Sequence, residues 1–154
     1  MSEVRITDDL RLDAPVDVVW RAIEDPVAHA HWHPFVTEIA GGHELHDIRS
    51  CSVQIGKKPG TTRERCVERD ERVRIIWAIE EDSTGFARMV SGWRSGFSLS
   101  ERDGATIVTA ESTFRPNNVF VRAMLPMIRR KFHQTQRAIL QGLQHASDRL
   151  SAAP

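Results

Sequence analysis

"TTRERCVERDERVRIIWAI" (61–79) contains two runs that read as strands on either side of Asp70 and Glu71. Taking Asp70-Glu71 as a two-residue connection sets Glu64 opposite Trp77 and Cys66 opposite Ile75. Successive side chains of a strand point to opposite faces, so a wrong register would scatter charged and apolar residues over both. Here they sort. Cys66, Val73, Ile75, Trp77 and Ile79 fall on one face, and Arg63, Arg65, Arg69 and Arg74 on the other. The stretch predicts an antiparallel pair with one wet face and one buried face.

The same pattern extends in both directions. KKPG (57–60) is expected to close a hairpin on the N-terminal side, with Cys51 opposite Cys66 and Val53 opposite Glu64. Asp103-Gly104 closes another, with Phe97 opposite Ala110 and Trp93 opposite Phe114. Strands near 35–41, 48–56, 61–69, 72–81, 86–100 and 106–115 then make an antiparallel meander. Its buried face gains Cys51, Val53, Ile55, Met89, Trp93, Phe97, Leu99, Val108, Ala110 and Phe114; its wet face gains Arg88, Arg94, Thr109 and Glu111.

VRITDDLRLDA (4–14) predicts one more strand ahead of the meander. After Pro15, Val16, Val19, Trp20 and Ile23 recur at helical spacing, and Asp25-Pro26 ends that helix and starts a second short one. From Asn117 or Asn118 as N-cap a helix is expected to about Leu150, broken or restarted at Pro126. Its apolar stripe, Met124, Ile128, Phe132, Thr135, Ile139, Leu143, Ala146 and Leu150, is the cover the buried sheet face needs. SAAP (151–154) reads as a tail.

Composition narrows the function. A chain of 154 residues predicts one domain, 1–154. Lys+Arg and Asp+Glu stand at 21 each, so no net charge draws it to nucleic acid. Arg129, Arg130 and Lys131 read as a solvated helix face. No apolar run is long enough for stable membrane insertion, and MSEVRITDDL lacks the apolar core of a secretory signal. Cys51 and Cys66 are too few for a disulfide framework and read as buried thiols in a reducing cytoplasm. No phosphate loop, nucleophile elbow or zinc-protease helix occurs, and no cofactor is expected.

"DAPVDVVWRAIEDPVAHAHWHP" (13–34), the 61–79 stretch and "GATIVTAESTFRP" (104–116) together resemble the START and Bet v 1-like (SRPBCC) superfamily. Within it they are most similar to the bacterial polyketide cyclase/dehydrase and lipid-transport branch. The resemblance implies an α+β helix-grip fold: a curved antiparallel sheet wrapped around a long C-terminal helix, with two short helices after the first strand. It also implies a cavity between sheet and helix that holds lipids, sterols, polyketides or other apolar molecules; a minority of members catalyse cyclisation or dehydration. Fold alone does not assign an activity.

Candidate site residues follow from the inward face. Glu64, placed between Val53 and Trp77, must be hydrogen-bonded, paired, wetted by cavity water or protonated. It is a polar anchor or a general acid/base at the cavity wall, unless it sits at an edge and reaches solvent or an arginine. Ser91, Ser95, Ala110 and Ser112 are small inward residues alternating with Trp93, Phe97 and Phe114, and predict unfilled volume. The expected ligand-binding set is Glu64, Trp77, Met89, Ser91, Trp93, Ser95, Phe97, Ala110, Ser112, Met124, Met127 and Ile128.

His29, His31 and His33 alternate in "AHAHWHPFV" (28–36), a pattern that invites a metal reading. They end a short helix at Trp32-x-Pro34, where all three do not converge, so surface or turn histidines and no metal are expected. Three functions stay open: a carrier of an apolar or amphipathic small molecule, a cyclase/dehydratase using Glu64 as acid/base, and an interaction module. Proton-transfer chemistry requires a polar pair within hydrogen-bond reach in the cavity; a lone carboxylate favours binding.

Overall fold

Apolar residues at alternate positions build β1 (Val4–Leu12), and Pro15, whose carbonyl accepts the first helical bonds, leads into α1 (Val16–Glu24). Asp25 caps α2 (Pro26–Trp32), its carboxylate accepting from the Val27 and Ala28 N–H groups. There follow β2 (Val36–Gly41), β3 (Ile48–Ile55), β4 (Lys58–Asp70), β5 (Arg74–Asp82), β6 (Val90–Arg102) and β7 (Ala105–Pro116). Asn118 caps α3 (Val119–Ala123), and α4 (Leu125–Ala152) closes the chain. This computed structural model describes residues 2–152. The seven strands form one antiparallel sheet in the order β1-β7-β6-β5-β4-β3-β2, the helix-grip arrangement.

Pro126 lies in the first turn of α4, where its missing N–H is not needed, so the helix restarts there. The helix runs through Ala152, and the rest of the expected tail, 153–154, lies outside the described residues. Along α4 the most buried positions are Ile128, Gln136, Leu140, Leu143, Ala146 and Ser147, while Leu150 is exposed. The helix lies along β1 and β7, with α1 and α2 against it. A Cβ at Gly142 would come within 2.8 Å of the Trp32 carbonyl oxygen, so glycine there lets α2 approach α4 closely. Trp32 in turn donates from Nε1 to the Ala22 carbonyl at 2.7 Å, tying α2 to α1.

Two of the three predicted hairpin registers are corrected. Gly56-Lys57, not KKPG, closes the β3–β4 hairpin, because Gly56 supplies the φ of +62° that a two-residue turn demands. Val53 therefore faces Gly60, Cys51 faces Thr62 and Arg49 faces Glu64. Pro59 is tolerated in β4 because β5 does not extend alongside it. Between β4 and β5 the connection is three residues, with Arg72 at φ +65°, and Asp70 pairs with Arg74. Val73 is thus left exposed in a turn rather than on the buried face. Irregularities in β4 set Glu64 opposite Ile79 and Cys66 opposite Trp77.

The bulge beside Val67 also turns Arg69 inward, away from the wet face expected for it. There it binds Glu24 at 2.6 Å and lies over the Trp20 ring. The Asp103-Gly104 turn has positive φ at both residues and holds Phe97 opposite Ala110 as predicted. A further irregularity at Gly92 (φ +60°) interrupts the pairing at Trp93, and 86–88 forms a 3-10 turn instead of continuing β6.

Candidate functional site

β3 and β4 place Arg49 and Glu64 directly across from one another on the inner face. Arg49 donates to Glu64 Oε1 from Nε at 3.0 Å and from Nη2 at 2.8 Å, and Thr62 Oγ1 donates to Oε2 at 2.8 Å. The guanidinium lies 3.7 Å from the centroid of the Trp77 ring, which adds a cation–π contact. Both charged side chains are largely shielded, Arg49 12% and Glu64 13% exposed. Glu64 is therefore paired on the wall, with Arg49 and Ile79 as flanks in place of Val53 and Trp77. Sequence reasoning missed Arg49 because a cation at an inward position breaks the binary pattern. The signal was there: an inward carboxylate needs a cation, and choosing Gly56 for the turn brings Arg49 opposite.

α2 brings two histidines to this wall by different means. His29 is buried, and its Nδ1 donates to the Ile23 carbonyl at 3.0 Å. His33 Nδ1 accepts from the Phe35 and Val36 N–H groups at 3.1 Å each, so the ring proton sits on Nε2. The rings stack with centroids 5.2 Å apart. Burial, and then the charge of Arg49, lowers the His33 pKa to about 3; the same two causes hold His29 well below its ordinary value. Of the three alternating histidines, only His31 is exposed. The expectation of surface or turn residues fails for His29, which belongs to the core because α2 packs its ring against Trp32 and Phe97. Among the described residues no group of three or more His, Cys, Asp or Glu side chains is arranged to hold a metal ion.

The centre of the interior is polar and joined up. Ser112 donates to Gln136 Oε1 at 3.0 Å and so accepts from Ser95 at 3.1 Å. Gln136 Nε2 donates to Asp8 at 2.8 Å, and His133 and Arg137 also bind Asp8. The hydroxyls of Ser95 and Ser112, both in the expected ligand-binding set, are thus engaged within the protein, with the α4 residue Gln136 bonded to Ser112. Ser112→Phe is expected to destabilise by about 1–3 kcal/mol through overpacking. An unchanged urea midpoint would mean that open volume remains there.

The predicted residues divide between two ends of this seam. Trp77, Phe97 and Ala110 join Trp20, Trp32, Leu140 and Leu143 on one side. On the other, Phe86, Phe114, Phe132 and Trp93 form a cluster of edge-on and tilted rings, with Met89, Met124 and Ile128 packed around it. The buried Trp93 Nε1–H has no hydrogen-bond partner among the described residues. Two expected residues lie elsewhere. Met127 is 60% exposed, because it falls on the outward side of α4 from Ile128. Ser91 is exposed and bonds Asn117, since the irregularity at Gly92 reverses which side chain points inward and Val90 is buried instead.

Cys51 and Cys66 are free thiols on different cross-strand partners, and burial, with the Glu64 carboxylate nearby, pushes Cys51 up to about 11. Two of the concavities on the surface of the described residues are of note. One, of about 90 Å³, lies on the outer sheet face among Arg5, Arg74, Arg94 and Glu111. The other, an open groove of about 530 Å³, runs between α2 and β2 past Pro26, Ala30, His33, Val36 and Ile39. Of the expected ligand-binding residues only Ser95 borders either one.

A sequence profile of the family described as polyketide cyclase/dehydrase and lipid transport matches residues 3–148. No curated protein sequence matches the chain significantly. Among solved structures, the Zhui aromatase/cyclase from a Streptomyces species aligns over 99% of this chain and 98% of its own, at 16% identity and a TM-score of 0.78. A START superfamily protein from Mycobacterium smegmatis aligns over 95% and 98% at 12% identity, with a TM-score of 0.75. A major latex-like protein from Panax ginseng aligns over 93% and 96% at 9% identity, also with a TM-score of 0.75. At these identities the likeness is one of fold.

Proposed function

Since the chain belongs to the polyketide cyclase/dehydrase and lipid transport family, we propose that it binds an apolar or amphipathic small molecule against the inner sheet face. The Arg49–Glu64 pair over Trp77 carries this reading: an ion pair shielded on the inner sheet face is a polar anchor for one end of such a molecule. The groove between α2 and β2, which His33 borders, is the approach this reading assigns to the molecule. Trp93, with its unpartnered Nε1–H, Met89, Met124 and Ile128 are the apolar lining at the far end. The setting is cytoplasmic, where Cys51 and Cys66 remain thiols.

A second reading draws on the same pair. Arg49 and Glu64 are polar partners within hydrogen-bond reach, the minimum that a cyclase or dehydratase moving protons requires. Native mass spectrometry of the purified protein identifies any small molecule carried with it. Glu64→Gln then separates the readings, since it keeps the side-chain shape and one acceptor oxygen for Arg49 while removing the carboxylate that could move a proton. Ligand affinity is expected to stay within a few fold, with no turnover in either protein. A wild-type turnover that falls by roughly 10²–10⁴ in the variant would establish the enzyme instead.

A further inference from the structure

Between Glu111 and Asp148 the sequence holds no acidic residue, yet Arg115, Arg122, Arg129, Arg130, Lys131 and Arg137 all lie there. In a chain with no net charge, this leaves a local excess of positive charge from the end of β7 through α3 and most of α4. Three of these cations are engaged locally: Arg115 near Glu3, Arg129 on the Arg5 carbonyl and Arg137 on Asp8. Arg122, Arg130 and Lys131 have no ion-pair partner among the described residues.

Beside them the chain exposes apolar side chains. Val119 and Phe120 are each 74% exposed, and Met127 is 60% exposed. The core does not need them, since Val121, Met124, Leu125 and Ile128 are the residues of this segment that pack inward. On α4, Met127, Arg130 and Lys131 stand at i, i+3 and i+4 and therefore share the outward face. Apolar side chains flanked by unpaired cations suit the boundary between headgroups and acyl chains of an anionic bilayer.

We propose that the α3–α4 junction docks reversibly on an anionic lipid bilayer. Val119, Phe120 and Met127 enter the headgroup boundary, while Arg122, Arg130 and Lys131 contact the anionic headgroups. A nucleic acid would use the cations but leave Val119 and Met127 in water, so the apolar residues favour lipid. Contact is peripheral, as no described helix is long and apolar enough to cross a membrane. The inference stands apart from ligand binding, needing neither the Arg49–Glu64 pair nor an interior cavity.

Co-sedimentation of the full chain with vesicles tests it. Vesicles of mixed phosphatidylcholine and phosphatidylserine are expected to bind the protein, weakly at high salt, and phosphatidylcholine alone is not. Each cation contributes about fivefold, so Arg122→Gln/Arg130→Gln/Lys131→Gln should weaken partitioning about a hundredfold. Phe120→Ser/Met127→Ser should weaken it about tenfold without lowering the melting temperature. Absence of binding to the mixed vesicles, or equal binding to phosphatidylcholine alone, would overturn the proposal. So would vesicle binding indifferent to Phe120 and Met127 and displaced by short duplex DNA, which marks a nucleic-acid patch.

Discussion

Arg49→Ala is expected to lower folding stability by about 3–5 kcal/mol, the cost of stranding a carboxylate on a shielded wall. Glu64 would lose both guanidinium bonds and keep only Thr62, and Trp77 would lose the cation lying over its ring. Glu64→Ala should cost a comparable amount by the converse route, leaving Arg49 without its anion. Replacing both together, as Arg49→Met/Glu64→Leu, removes the charges in pairs and is expected to restore most of the loss. A double-mutant cycle in urea measures the coupling. If Arg49→Ala shifted stability by less than about 0.5 kcal/mol, the pair would be screened like an ordinary surface ion pair and could not serve as an anchor. The double variant also provides a folded protein with the anchor deleted, in which affinity for a ligand's polar end can be measured directly.

Acid should destabilise this protein through His29 and His33. His29 and His33 are neutral in the fold, where burial and Arg49 hold their pKa values down, His33 at about 3. An unfolded histidine titrates near pH 6.5. Below that value the unfolded chain takes up protons that the native state refuses, so stability is full above about pH 6.5 and falls as the pH drops toward about 3. The loss is of order a few kcal/mol by the acid end of that window. His33→Asn keeps an acceptor for the Phe35 and Val36 N–H groups without titrating. Its urea midpoint is expected to decline less steeply between pH 6.5 and 5 than that of the wild type. Parallel profiles for the two proteins would show that His33 is not a source of the pH dependence.

The inward face was legible because it repeats every two residues over several strands. Ile75, Trp77, Phe97, Leu99, Val108, Ala110 and Phe114 are all buried as the alternation requires. Asn118 and Pro126 likewise announced where the C-terminal helices begin, since a cap and a missing N–H act on their own turn. The polar interior was less legible. Gln136 occupies a position that an apolar stripe skips, and only the approach of Ser112 and Asp8 from β7 and β1 gives its amide both partners. His29 looked like a turn residue, but the packing of α2 against α1 and the sheet buries its ring.

What the sequence determined by itself is therefore the order of the elements, the inward face of the strands away from their bulges, and the caps that start the helices; at Arg69 and Ser91 a bulge reversed the face. All of these depend on residues within a turn or two of one another. Register was decided by tertiary structure. Whether β3 meets β4 through Gly56-Lys57 or KKPG, and where β4 bulges, moves Glu64 from beside Val53 to a place opposite Arg49 without changing its face. Period-two patterning is blind to shifts of two or four residues. The choice among them lies with the φ that a turn residue can adopt and with the pairing of charges brought together across strands.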